Sequence, residues 1–292
     1  MKFLRTLLIL GRVSNLPTVW TNVVVGWLVG GGFFGWEIGW LIAGVSLLYW
    51  AGMTLNDAFD AGWDRENAPE RPIPSGAISL SATWIIGIGQ MLAGIALLMW
   101  KANPGIGVLA GLVAAILAYD WIHKKWKGSV LLMGLCRTLV YLLAWEAARA
   151  DMQLSPISPL IYLLGIGVLL YIAALTMVAR SERGKPDTAL STLPRLMLLI
   201  PTAFPVMVLY CERSLDISQL LLFTGIIASS IWIVYTRSLL AAGKIPAGIG
   251  AAIAGIALYD TTVAVLLDWR AGLFCLGCFA VTLIAQRFIP AT

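Results

Sequence analysis

Four side chains able to hold a cation stand together in Asn56-Asp57-Ala58-Phe59-Asp60-Ala61-Gly62-Trp63-Asp64. Asp57, Asp60 and Asp64 follow an i, i+3, i+7 spacing, and Asn56 precedes Asp60 by four residues. On a helix such neighbours share one face. Three carboxylates side by side repel one another, so the face calls for a cation. An all-oxygen ligand set suits Mg²⁺, which takes one or two carboxylates and completes its shell with water and substrate phosphates. A basic residue held in a stiff turn follows, in Arg71-Pro72-Ile73-Pro74-Ser75-Gly76. On these residues alone the cluster is a metal-binding face or a solvated acidic loop capping a helix. The apolar run Trp40 to Leu55 leads straight into it, and acids at membrane depth point to a functional site.

The elements that carry this face are membrane helices. The chain has 292 residues, 60% of them hydrophobic and 12% charged, with a formal net charge of +5. Its mean hydropathy of +0.87 excludes an ordinary soluble domain. Ten apolar stretches of about bilayer length are predicted, at 16–34, 38–56, 81–100, 104–120, 129–148, 157–179, 193–211, 218–236, 247–267 and 270–288. Backbone polar groups in lipid must be satisfied internally, so these stretches are helices. No soluble domain fits between them, and residues 1–292 read as a single all-α integral membrane domain.

Met1 to Gly11 reads as an interfacial helix with Lys2 and Arg5 on its polar side, not as a cleaved leader. Basic residues fall mostly on one side of the spans, including Arg12, Arg65, Arg71, the run Lys124 to Lys127 and Arg180 to Lys185. The other side carries Lys101, Arg149, Arg213 and Arg270. The rich side is expected to be cytoplasmic, with both termini and the acidic face on it, in a multi-pass protein of the cell (inner) membrane. The positive charge then reflects orientation and not nucleic acid. Four cysteines make no disulfide framework, and the Cys275-x-x-Cys278 pair inside an apolar run is expected to be buried packing. Glycines such as Gly26 and Gly30 are expected to let helices approach closely.

The pattern NDxxDxxxD followed by RPxPSG resembles the first signature of the UbiA superfamily of intramembrane prenyltransferases. The resemblance implies nine or ten transmembrane helices around a central cavity open to the cytoplasmic side. It also implies that Asn56, Asp57, Asp60 and Asp64 hold Mg²⁺ and, through it, the diphosphate of an isoprenoid donor. Arg71 would then hold a diphosphate oxygen. The stretch Tyr119-Asp120-Trp121-Ile122-His123-Lys124 resembles the family's YxxxK element with the register shifted by one. Lys124 is the expected diphosphate contact, Tyr119 a substrate contact, and His123 a weaker candidate. Arg12 to Pro17 resembles the family's entry to its first span, with Asn22 farther in and able to face the pocket.

The family's second acidic signature is degraded in Thr176 to Asp187, where Glu182 and Asp187 are the acids. Glu182 is the candidate for a second metal and for substrate binding. Arg180 would take over part of the neutralisation of the diphosphate, since a guanidinium fork pairs with two phosphate oxygens. A solvated basic loop is the alternative for Arg183 and Lys185. Arg137 lies inside an apolar run, where a charge is costly and faces a polar cavity or an acid. It is either a substrate contact or a partner of Glu146 or Glu182. Asp260 reads as a helix-to-helix hydrogen bond.

The implied function is Mg²⁺-dependent transfer of a prenyl group from an isoprenoid diphosphate to a small hydrophobic, electron-rich acceptor, aromatic or lipid-like, in contact with membrane lipid. Aromatic faces such as Trp63, Tyr119 or Trp121 could stabilise the allylic cation. Two alternatives stand beside it: a membrane terpene cyclase-like enzyme, and a non-catalytic binder or transporter of isoprenoid diphosphates or lipids. The pattern of CDP-alcohol phosphotransferases is absent.

Overall fold

A computed structural model describes residues 2–150, 159–181 and 217–291. Among them the structure is helical throughout: α1 (Lys2–Leu10), α2 (Leu16–Val29), α3 (Ile38–Asn67), α4 (Leu80–Leu97), α5 (Ile106–Ile122), α6 (Val130–Arg149), α7 (Pro159–Ser181), α8 (Ile217–Ala241), α9 (Ile245–Leu267) and α10 (Trp269–Ala285). A π-helical turn, Leu98–Ala102, extends α4. Among the described residues, six stretches are long and apolar enough to cross a membrane: Ile38–Asn67, Leu80–Ala102, Lys127–Arg149, Leu160–Arg180, Thr224–Ala241 and Ile245–Leu267. Ile106–Ile122 and Trp269–Ala285 are shorter apolar helices. The expected span 193–211 lies outside the described residues, as do Glu182, Arg183, Lys185 and Asp187.

The bundle packs in sequential pairs, α3 on α4, α6 on α7 and α9 on α10, with α2 laid between α6 and α9. Gly26 and Gly30 explain how α2 comes so close to α6. A side chain at Gly26 would strike the backbone of Tyr141, and one at Gly30 would lie 2.7 Å from the Trp145 carbonyl oxygen. Four residues apart, the two glycines form a smooth stripe against which α6 rests.

Local signals set the ends. Ser79 caps α4 by accepting the Ala82 N–H at 3.1 Å. Asp268 caps α10 through the Arg270 N–H at 2.8 Å and pairs with the Arg270 guanidinium at 2.9 Å. That side-chain hydrogen bond holds the Asp268 carboxyl below the usual carboxylate range. Cys275 and Cys278 are buried free thiols on α10.

The length of α3 decides where the acids go. Its 30 residues rise about 45 Å, more than the roughly 30 Å hydrocarbon core. Asp57 comes 19 residues after Ile38, about 28 Å along, so the acid face emerges at the membrane edge.

Candidate active site

The last turns of α3 present Asn56, Asp57, Asp60 and Asp64, all buried, on one face. Each acid meets a cation from a different segment. Arg12, between α1 and α2, sits at φ 41°, a left-handed conformation uncommon for a residue with a Cβ. Its guanidinium donates to Asp57 Oδ1 at 3.1 Å and to Met53 Sδ at 3.0 Å. Arg71 donates to Asp64 Oδ2 at 3.0 Å and lies 3.6 Å from Asp57 Oδ1.

The turn after Arg71 holds it there. Ser75 N–H donates to the Arg71 carbonyl, Ala77 N–H donates to that of Pro72, and Gly76 takes φ +75°. Only glycine adopts that angle without strain.

Asp60 faces the α5 end. Lys124 Nζ lies 3.1 Å and His123 Nε2 3.2 Å from Asp60 Oδ2. The Lys124 ammonium also lies over the Trp63 ring, 3.6 Å from its centroid. Tyr119 stacks on His123 with centroids 4.9 Å apart. Asn56 Nδ2 donates to Asp120 Oδ1 at 3.1 Å.

Arg180, at the end of α7, donates to the carbonyls of Lys127 (3.0 Å) and His123 (3.2 Å) and to Ser129 Oγ (2.9 Å). Its donors thus pin the loop that carries His123 and Lys124. Trp121 is 65% exposed, with Lys125 Nζ 6.0 Å from its ring centroid. Arg137 does not pair with Glu146. It bonds Thr18 and Asn22 on α2, while Glu146 lies against Gly105 and Glu182 is outside the described residues.

Sequence reasoning missed the Arg12–Asp57 and Asn56–Asp120 pairs and the Arg180 loop contacts. Asp120 directly after Tyr119 in an apolar run was a readable signal for a buried carboxylate. The Arg180 contacts run to backbone carbonyls and a hydroxyl of distant sequence, which no spacing encodes.

The donor set fits a hard divalent cation. It consists of carboxylate and amide oxygens, and Asp64 Oδ1 and Asp120 Oδ2 are buried without a hydrogen-bond partner among the described residues. As they stand, no three acidic or imidazole groups among the described residues converge on one point. Asp57, Asp60 and Asp64 are each turned towards a basic partner.

The sequence model of the UbiA prenyltransferase family matches residues 16–276. A digeranylgeranylglyceryl phosphate synthase of Methanoregula boonei is 34% identical over 106 residues, 36% of this chain and 37% of that protein. A 4-hydroxybenzoate octaprenyltransferase of Albidiferax ferrireducens is 26% identical over 162 residues, 54% of this chain and 53% of that protein. The match thus spans about half or less of the length of these curated relatives. The apo structure of a UbiA homolog from Aeropyrum pernix K1 superposes with a TM-score of 0.68 at 18% identity, covering 88% of this chain and 98% of that one. A digeranylgeranylglyceryl phosphate synthase structure gives 0.58, also at 18% identity, over 96% and 100%. These two likenesses carry the fold, and the family match carries membership: the chain is a multi-pass membrane protein of the UbiA prenyltransferase family.

Proposed function

We propose that this protein transfers a prenyl group from an isoprenoid diphosphate to an electron-rich acceptor inside the membrane, with Mg²⁺ as cofactor. The observation that carries the reading is the alternation of Asp57, Asp60 and Asp64 with Arg12, Arg71 and Lys124 at the end of α3. Such a face has carboxylates for a cation and cations for a polyanion, and both exchange partners when the two arrive together.

Asp57, Asp60 and Asp64, with Asn56 beside them, would hold Mg²⁺, which when bound supplies Lewis-acid neutralisation of the diphosphate. Arg71 and Lys124 move from carboxylate to phosphate oxygens and stabilise the charge that grows on the leaving group. The site is buried, so these contacts act in a low dielectric and count for more than in water. Trp63 and Tyr119 offer π faces to the allylic cation, and the apolar bundle keeps water from quenching it. The acceptor then attacks the cation and loses a proton. Positive charge concentrated on the acid side supports an inner membrane protein with that face in the cytoplasm.

The test is product analysis. Purified full-length protein in lipid receives labelled isoprenoid diphosphates of several lengths, Mg²⁺ and a lipid extract of its own cells. Inorganic diphosphate and a prenylated product are expected. Diphosphate released with no acceptor would point to a cyclase instead. Donor recovered intact in every mixture would leave a binder and overturn the proposal.

Arg180 gives a separate prediction. Arg180→Ala frees the loop that aims Lys124, so donor KM should rise and kcat fall, lowering kcat/KM by about tenfold. Arg180→Lys should recover part of this, because one ammonium cannot span three acceptors. In a Lys124→Ala background the loss should shrink, since the two act through one loop. An undiminished loss there would show that Arg180 acts without Lys124.

A further inference from the structure

One acid beside the site does not belong to α3. Asp120 lies in the last turn of α5 and is 3% exposed. Its Oδ1 accepts from Asn56 Nδ2 at 3.1 Å, and its Oδ2 is buried with no hydrogen-bond partner among the described residues. Arg12, Asp57 and Asp60 are within its electrostatic reach, so it shares the surroundings of the acid face.

The packing that brings Asp120 to Asn56 is local. The helices α3 and α5 lie side by side. Four residues before Asn56 stands Gly52, and four residues before Asp120 stands Ile116, about one turn back on each helix. A Cβ on Gly52 would come within 2.9 Å of Ile116 Cγ2. The missing side chain lets the helices approach there, and one turn later an asparagine and an aspartate meet.

That bond does more than join two helices. An amide has two ends of nearly equal shape, an oxygen that can ligate a cation and an NH₂ that cannot, and its partner decides which faces where. A carboxylate accepts and does not donate, so Asp120 takes the nitrogen end. Asn56 Oδ1 is then left for the side on which Asp60 follows one turn later. Without an acceptor on α5 the amide would be free to turn over and offer N–H groups, whose positive ends repel a cation. Mg²⁺ takes oxygen ligands and keeps several waters. A buried oxygen without a donor, as Oδ2 of Asp120 is, suits one of those waters.

We propose that Asp120 is a positioning residue for the cation: by holding the Asn56 amide through its nitrogen, it keeps Oδ1 presented as a metal ligand. The proposal rests on the Mg²⁺-dependent reading of this face and adds a residue of α5 to it.

The probe is Mn²⁺ alone, titrated into the full chain in detergent micelles and followed by the electron paramagnetic resonance of the free ion, with displacement by excess Mg²⁺. Asp120→Ala should weaken Mn²⁺ binding about tenfold or more, as loss of a group that orients a ligand does. Asn56→Ala should weaken it as well. Adding Asp120→Ala to Asn56→Ala should then cost only about twofold or less, because the amide that Asp120 orients is gone. Unchanged affinity in Asp120→Ala would overturn the proposal and reduce the bond to helix packing. A loss of the same size in the Asn56→Ala background would also overturn it, since Asp120 would then act on the cation without Asn56. Should Asp120→Ala fail to fold, Asp120→Leu, closer in volume, takes its place with the same expectations. Wild type that binds no Mn²⁺ would overturn the proposal too, and diphosphate release, assayed in parallel with and without Mg²⁺, decides whether the prenyl-transfer reading falls with it. Affinity lost through Asn56 but no release by the wild type would sink that reading and leave the positioning role standing. Release with affinity unchanged in Asp120→Ala would do the reverse.

Discussion

Asp64→Asn should lower diphosphate release by on the order of 10³-fold while leaving the protein folded and inserted. Asp64 is 1% exposed, its Oδ2 takes the Arg71 guanidinium at 3.0 Å, and its Oδ1 has no partner among the described residues. A buried carboxylate oxygen left open costs stability unless a ligand completes it. Asparagine keeps the shape and removes the charge, so what is lost is transition-state stabilisation and not packing. Asp57→Asn should fall as far, because its carboxylate lies between Arg12 and Arg71. The check is a release assay beside a thermal unfolding curve for each variant. Wild-type turnover by either would remove that residue from the ligand set.

The acidic face was legible because it is local. Asp57, Asp60 and Asp64 follow helical spacing, and one buried face of α3 results. Arg71 was legible for a related reason: the Pro-Ile-Pro-Ser-Gly turn that holds it is written in consecutive residues. Lys124, preferred over His123 despite the shifted register, does reach Asp60, but His123 reaches the same oxygen. Both can do so because the end of α5 is followed by a turn and not by more helix, so the YxxxK spacing no longer dictates which side chain faces inward.

Partners brought in from far along the chain were not legible. An arginine in an apolar run announces that it needs company, but not whose. Glu146, on the same helix, is nine residues from Arg137, roughly 13 Å along the axis, and faces Gly105. Arg137 turns instead to Thr18 and Asn22, an i, i+4 pair on α2 that only tertiary packing brings near. Trp121 is exposed where Asp120 is buried. It follows Asp120 by one residue and Tyr119 by two, and residues one or two apart on a helix do not share a face.

Asp260→Ala should cost about 3 kcal/mol of stability, a large effect for one side chain. Asp260 is fully buried on α9 and accepts from Asn22 and Tyr141. Truncation leaves two buried donors without an acceptor and takes from Arg137 its counter-charge at one remove. The hydrogen bonds alone would not give this figure, since side-chain hydrogen bonds between membrane helices average about 0.6 kcal/mol each. Two of them account for roughly 1 kcal/mol, and the uncompensated guanidinium must supply the rest. Tyr141→Phe separates the contributions, because it removes one hydrogen bond and keeps the charge; about 1 kcal/mol or less is expected. Both values come from reversible unfolding in mixed micelles. A loss of only about 1 kcal/mol in Asp260→Ala would mean that Arg137 draws its neutralisation from elsewhere, and that Asp260 is a hydrogen-bond acceptor with no electrostatic share in holding α2, α6 and α9 together.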